Sequence, residues 1–286
     1  VNAERGLTPL VGREREVEIL LEGLEIVKSG RGQAFSIVAE AGAGKSRLLY
    51  EFRKAVENEN VTVLEGKCLS YAQNVAYYPV IDILKTTYRI EDRDNEAEIK
   101  QKVTLGLEDI GIEPAESMPF LLNVLGVKES GIDELNTSPE LKKERVVESI
   151  QKIVLKGSEQ RPLIMIFEDL HWADAITEEL LKDILQSIPG SRVLLLFSYR
   201  PEYLHTWGGK SYHNQINLNR LSNRESLSML AYLLGAGNIE DDLKELVLTK
   251  TDGIPFFIEE FVKSLNNLNL IEKSEKFSLV KDIQAL

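Results

Sequence analysis

The sequence predicts an α/β fold, a parallel sheet flanked by helices, followed by a small all-α domain. Three observations predict it. The stretch Ala39-Glu40-Ala41-Gly42-Ala43-Gly44-Lys45-Ser46 lies between a short β-prone apolar run, Ala34 to Val38, and a segment with Leu48, Leu49, Phe52 and Val56 at helical spacing. Two continuous apolar runs, Pro162 to Phe167 and Arg192 to Phe197, have strand length and no alternation, the mark of parallel strands covered on both faces. Beyond a weak strand signal at Ile216 to Leu218, the remaining pattern is helical.

The totals narrow the function classes. At 286 residues the chain suits two domains, with a boundary at about residue 210: residues 1–210 and residues 211–286. Apolar content of 43% and charged content of 28% are ordinary for a soluble globular protein. A net charge of −12 argues against nucleic acid or an anionic membrane as partner, because neither finds a basic tract. Cys68 is the only cysteine, and His171, His205 and His213 lack metal-ligand spacing, so neither a disulfide framework nor a thiolate or histidine metal site is expected. No apolar run approaches the ~20 residues of a membrane span and no signal-peptide pattern is visible, so a cytoplasmic location fits. Starting at Val1 and stopping at Leu286 within a patterned region, the chain reads as a fragment of a larger protein.

In chain order, Thr8 to Glu16 reads as a turn leading into a helix with Val17, Leu20, Leu21, Leu24 and Val27 on one face, ended by Gly30 to Gly32. The loop strand and its helix follow, then a second strand at Val61 to Leu64. A polar, aromatic stretch from Lys67 to Tyr78 leads into a helix from about Val80, and residues 89–137 read as acidic helices and loops with solvated faces. Ser138-Pro139-Glu140 starts a helix, serine as cap and proline in the first turn, which runs to about Leu155 and buries Val146, Val147, Ile150, Ile153 and Val154. Asp174 reads as the cap of the next helix. In the last part Ser222-Asn223-Arg224-Glu225 is a capping box, the helix it opens ends at Gly235, a second covers roughly 240–251, and a third runs from Pro255 to about Leu268.

The residues at strand ends carry the chemistry. Ala39 to Ser46 reads as a phosphate-binding loop: backbone N–H groups of Ala41, Gly42, Ala43 and Gly44 wrap phosphates, and the first turn of the following helix adds unpaired N–H groups and its positive dipole end. Lys45 reaches the β/γ-phosphates and Ser46 holds Mg²⁺. Ala39 stands where the strict pattern has glycine, the mildest replacement at a position that mainly has to stay small. The strand Pro162 to Phe167 ends in two acids, Glu168 and Asp169. One carboxylate is needed for Mg²⁺ and the second polarises the attacking water. By position Glu168 takes the metal and Asp169 the water, with the roles exchangeable or shared. Arg200 ends the next buried strand.

These stretches resemble a known family. Leu10-Val11-Gly12-Arg13-Glu14-Arg15-Glu16, the phosphate loop with Lys45-Ser46-Arg47-Leu48, Phe167-Glu168-Asp169-Leu170-His171-Trp172-Ala173-Asp174 and Gly253-Ile254-Pro255 are together similar to the STAND class of AAA-like signal-transduction ATPases. Tyr77 to Asp82 and Leu218 to Ser222 resemble the ATPase modules that follow class III adenylate/guanylate cyclase domains in bacteria. The resemblance implies a P-loop NTPase with a five-stranded parallel sheet whose fourth strand lies between the loop strand and the acidic strand, plus a helical lid. It implies ATP/ADP and Mg²⁺ as cofactors, with Val11, Gly12 and Arg13 against adenine and ribose, Arg47 beside the loop, Pro255 on or near the base, and Arg200 sensing the γ-phosphate. It also implies that the partners are other domains of the same chain, an upstream cyclase-like domain and a downstream repeat domain, and a homo-oligomer.

A rival GTPase reading rests on Thr249-Lys250-Thr251-Asp252, which resembles a guanine-reading signature. It ends a helical pattern rather than a strand, and Asp169 is followed by Leu170, His171 and Trp172 rather than a switch glycine. Two functions remain. One is a slow Mg²⁺-dependent ATPase acting as a regulatory switch. The other is a scaffold that holds ATP or ADP with negligible turnover and assembles partners.

Overall fold

The structure, a computed structural model, describes residues 8–133, 138–235, 238–273 and 277–280. In order these form α1 (Glu14–Lys28), β1 (Gln33–Val38), α2 (Lys45–Ala55), β2 (Thr62–Lys67), α3 (Tyr78–Thr87), α4 (Glu96–Asp109), α5 (Pro114–Val124), α6 (Pro139–Gln160), β3 (Leu163–Glu168), α7 (Ala175–Ser187), β4 (Val193–Tyr199) and β5 (His213–Asn217). Then follow α8 (Asn223–Leu234), α9 (Asp241–Thr251), α10 (Pro255–Asn267), β6 (Ile271–Lys273) and β7 (Phe277–Leu279). The chain divides into two units, residues 20–37 with 55–216, and residues 1–19 with 38–54 and 217–286.

The larger unit is built on a five-stranded parallel sheet of order β2-β3-β4-β1-β5. β4 therefore lies between the strand that leads into the phosphate loop and the strand that ends in the acids, as the resemblance implied. Every residue of β3 and β4 is buried. That is why their sequences are unbroken apolar runs. β2, at the edge, is only partly covered and extends to Lys67, past the expected end at Leu64, because an edge position tolerates Glu65 and Lys67 on its open side. Local signals start the helices: Asn95 and Glu98 form a capping box on α4, Ser138 accepts from the Leu141 amide on α6, and Asp174 accepts from Ile176 and Thr177 on α7. α6 runs to Gln160 rather than Leu155 and buries Val146, Ile150 and Val154 along one stripe, with Val147 and Ile153 only half-buried on its flank.

In the smaller unit α8, α9 and α10 close around Leu221, Met229, Leu230, Ile239, Leu243, Val247, Ile258, Val262 and Leu265, with Val11 packed against them. The capping box of Ser222 and Glu225 is present and Gly235 ends α8 in a left-handed conformation. Asp252 and Gly253 both have positive φ and turn the chain from α9 into α10, so Thr249 to Asp252 is a helix end. The expectation of an all-helical region misses a two-stranded antiparallel pair, in which Ile271 faces Leu279 and Lys273 faces Phe277. Strands of three residues are too short to show a period.

Candidate functional site

The candidate residues form two groups, one on each unit. On the smaller unit the phosphate loop leaves β1 with Gly42 at φ +77° and Gly44 at φ +102°, backbone shapes that disfavour a side chain. The Lys45 ammonium lies 2.9 Å from the Ala39 carbonyl and 3.3 Å from that of Glu40, so it bends back over the loop. Ser46 is exposed in the first turn of α2, Ala41 is exposed and Ala43 buried. A loop of small residues with two left-handed glycines, an inward lysine and a helix N-terminus behind it fits a nucleotide polyphosphate.

Three contacts tie this loop to the rest of its unit. The Phe256 amide, in the first turn of α10, donates to the Gly42 carbonyl at 3.2 Å, which brings Pro255 and Ile254 alongside the loop. Arg13 is buried and donates to the Ala43 carbonyl at 3.5 Å and to the Asn219 carbonyl. Arg220 pairs with Asp252 and, at 3.4 Å, with Glu40. Gly12 has φ +65° and packs against the Glu225 carboxylate, so a side chain there meets the capping box. Hydrogen bonds from the Ser222 hydroxyl and amide hold that carboxyl below its usual range, with Arg13 and Arg224 adding to the effect. Arg47 donates to Glu51 at 2.9 Å and to the Thr8 carbonyl, while the Thr8 hydroxyl donates to Glu259 of α10 at 2.7 Å. Thr8, Asn219 and Glu259 were invisible as partners in the sequence because more than thirty residues separate each from what it holds.

On the larger unit the acid strand ends as expected. Glu168 is buried and faces Lys67 of the neighbouring β2 at 3.3 Å, while Asp169 is partly exposed. Asp169 takes a left-handed conformation, φ 57° and ψ 46°, and its amide donates to the Ser198 hydroxyl of β4 at 3.1 Å. The kink turns the chain into a short 3-10 turn, Leu170–Trp172. His171 Nδ1 lies 4.0 Å from the Asp169 carboxylate. Arg200, the residue after β4, holds its guanidinium 5.9 Å from the Trp172 ring centroid, with Glu202 at 3.9 Å. Burial pushes the Cys68 thiol up to about 12, and the nearby Asp169, Asp174 and Glu178 push in the same direction. A buried acid beside a part-exposed one at a strand end is a donor set of the type that binds a hydrated divalent cation. Neither Lys67 nor Ser198 stands out in the linear pattern, because each acts from a neighbouring strand.

A family model described as an AAA ATPase domain matches residues 9–196. The chain belongs to that AAA ATPase family. A second model, a domain of unknown function, matches residues 222–275. Two curated relatives of the AAA ATPase chain are similar to it over most of its length. The uncharacterized protein R02095 of Rhizobium meliloti (strain 1021) is 24% identical over 254 residues, which cover 88% of this chain and 24% of that protein. Adenylate cyclase type 10 of Rattus norvegicus is 19% identical over 277 residues, 92% of this chain and 17% of that protein. The chain therefore spans 24% and 17% of the lengths of these relatives. Among solved structures, Drosophila ORC bound to DNA superposes with a TM-score of 0.50 at 15% identity, covering 93% of this chain and 59% of that one, a likeness of fold. Among the described residues no helix is long and apolar enough to cross a membrane.

Proposed function

We propose that this AAA ATPase domain binds ATP with Mg²⁺, hydrolyses it slowly, and uses the nucleotide state as a regulatory switch within a larger signal-transduction protein. The observation that carries the reading is the loop itself: Lys45 folded over it, two left-handed glycines, and the Gly42 carbonyl held by the first turn of α10. The loop and the N-terminus of α2 together form a cradle of small residues and backbone amides of the kind that takes phosphate oxygens. Lys45 then neutralises the β/γ-phosphates and Ser46 supplies a hydroxyl to the cation. Bound Mg²⁺ supplies charge neutralisation of the phosphates. Glu168, with Lys67 beside it, would hold Mg²⁺ through water, and Asp169 would accept the proton of the attacking water, roles the two acids could also exchange or share. Arg200 stabilises the charge that develops on the γ-phosphoryl oxygens. A single arginine in this role supports slow turnover unless a neighbouring protomer adds another.

The regulatory part rests on α10, whose first turn holds the loop through the Phe256 amide and whose Glu259 is tied through Thr8 to Arg47. A change at the loop is thereby felt by α10, which carries Pro255, and by the segment before α1, which carries Val11, Gly12 and Arg13; these are the residues we assign to the base and ribose. The likeness to adenylate cyclase type 10 supports a cyclase-like module as one attached domain.

The test is phosphate release from Mg·ATP, with nucleotide affinity measured in parallel. Lys45→Ala is expected to abolish nucleotide affinity, and Asp169→Asn to keep affinity and lose hydrolysis. Wild-type behaviour of both variants refutes the assignment. Tight binding without turnover in the unaltered chain replaces the ATPase with a nucleotide-holding scaffold.

A further inference from the structure

The turn after the acid strand does more than present two carboxylates. Asp169 donates its amide to the Ser198 hydroxyl of β4, two residues before Arg200, and the Trp172 amide closes on the Asp169 carbonyl at 2.9 Å. Leu170 between them is fully buried. The acid turn and the end of β4 are therefore joined through the Ser198 hydroxyl, which sets the Trp172 and Arg200 backbones close to each other. The guanidinium rests over the indole, 5.9 Å from its centroid, inside the range of a cation–π contact. Its carboxylate neighbour, Glu202, is 68% exposed and 3.9 Å away, a pairing too solvated to hold the arginine.

We propose that Trp172 is the positioning residue of Arg200: the indole face is the seat on which the arginine is kept ready to engage a nucleotide triphosphate. A seat of this kind differs from a salt bridge. An aromatic face orients a guanidinium without neutralising its charge, so the arginine keeps its full attraction for phosphate, whereas a carboxylate partner would have to be displaced first. Because the seat and Asp169 belong to one turn, the arginine and Asp169 stay in register with each other. The inference rests on the ATPase reading for its purpose, but the seat itself does not depend on nucleotide.

The experiment uses the two tryptophans of the chain, Trp172 and Trp207. Trp207→Phe leaves Trp172 as the sole tryptophan, and its emission is recorded without nucleotide, with and without Arg200→Met. Should Trp207→Phe fail to fold, the difference between the unaltered chain and Trp172→Leu isolates the same signal. Removing the guanidinium is expected to shift or brighten the Trp172 emission, and an unchanged emission overturns the seat. In steady-state hydrolysis Trp172→Leu is expected to lower kcat roughly 2- to 5-fold, the scale of a part-exposed cation–π contact, with ADP affinity unchanged, and Trp172→Phe to recover part of the loss. A kcat for Trp172→Leu equal to that of the unaltered chain, or a loss in ADP affinity as large as the loss in kcat, also overturns it. If emission responds to Arg200→Met while no variant or parent hydrolyses ATP, the seat stands and the ATPase reading falls.

Discussion

Gly42→Ala probes the junction between the phosphate loop and α10 most directly. Gly42 has φ +77°, and an added Cβ would lie 3.0 Å from the Phe256 Cβ and 3.1 Å from the Ile254 Cγ2. Two costs follow. Left-handed backbone costs an alanine about 1–2 kcal/mol. The close contacts push the first turn of α10 outward by a few tenths of an ångström, and the Phe256 amide bond to the Gly42 carbonyl, already 3.2 Å, is weakened or lost, a further loss of about 1 kcal/mol. The expected sum is about 2–3 kcal/mol of unfolding free energy. Gly44→Ala is the control, because φ there is +102° but no atom lies within 4 Å of the added Cβ, so only the backbone cost applies. Urea denaturation of the chain and both variants at matched slope gives the comparison. In nucleotide titration Gly42→Ala is expected to weaken affinity more than tenfold, since each ~1.4 kcal/mol of loop distortion is a factor of ten. Equal stability of the two variants refutes the contact with α10, and wild-type stability of Gly42→Ala refutes the loop conformation.

Two further outcomes follow from the larger unit. Ser198→Ala removes the acceptor of the Asp169 amide at a residue that is only 1% exposed, and is expected to cost about 1–3 kcal/mol in chemical denaturation, with a larger proportional fall in hydrolysis than in nucleotide affinity. Burial lowers both His205, whose Nε2 meets the Tyr199 hydroxyl at 2.7 Å, and His213, whose Nε2 meets the Ser36 hydroxyl at 2.8 Å. Below the ordinary histidine value of about 6.5 the unfolded chain takes up protons that the folded chain refuses, so stability falls as pH drops through that window. Denaturation midpoints between pH 7.5 and 5.5 are expected to fall and to flatten in a His205→Gln, His213→Gln double variant; an equal fall in both chains refutes the assignment.

Much of the fold was legible because the signals are local. The loop at Ala39 to Ser46 is contiguous with its strand and helix, so three adjacent patterns support one reading. The Ser222–Glu225 capping box, Gly235 and Pro255 bound the helices of the smaller unit within a residue or two. Where the pattern was short or mixed it misled: β2 was ended early by a glycine and charges that an edge strand accommodates, and the pair β6 and β7 was missed.

The sequence by itself determined the elements and the chemistry available at their ends: a phosphate loop, an acid pair after a buried strand, and an arginine after another. Backbone periodicity, caps and loop glycines act over a few residues, which is the range a linear pattern can carry. The tertiary structure decided the partners. Lys67 beside Glu168, Ser198 under Asp169, Trp172 beneath Arg200, Arg13 on Ala43 and α10 on Gly42 all join residues far apart in the chain. Such pairs are set by strand order and helix packing, where the gain is burial and hydrogen bonding across elements, and neither leaves a period in the sequence.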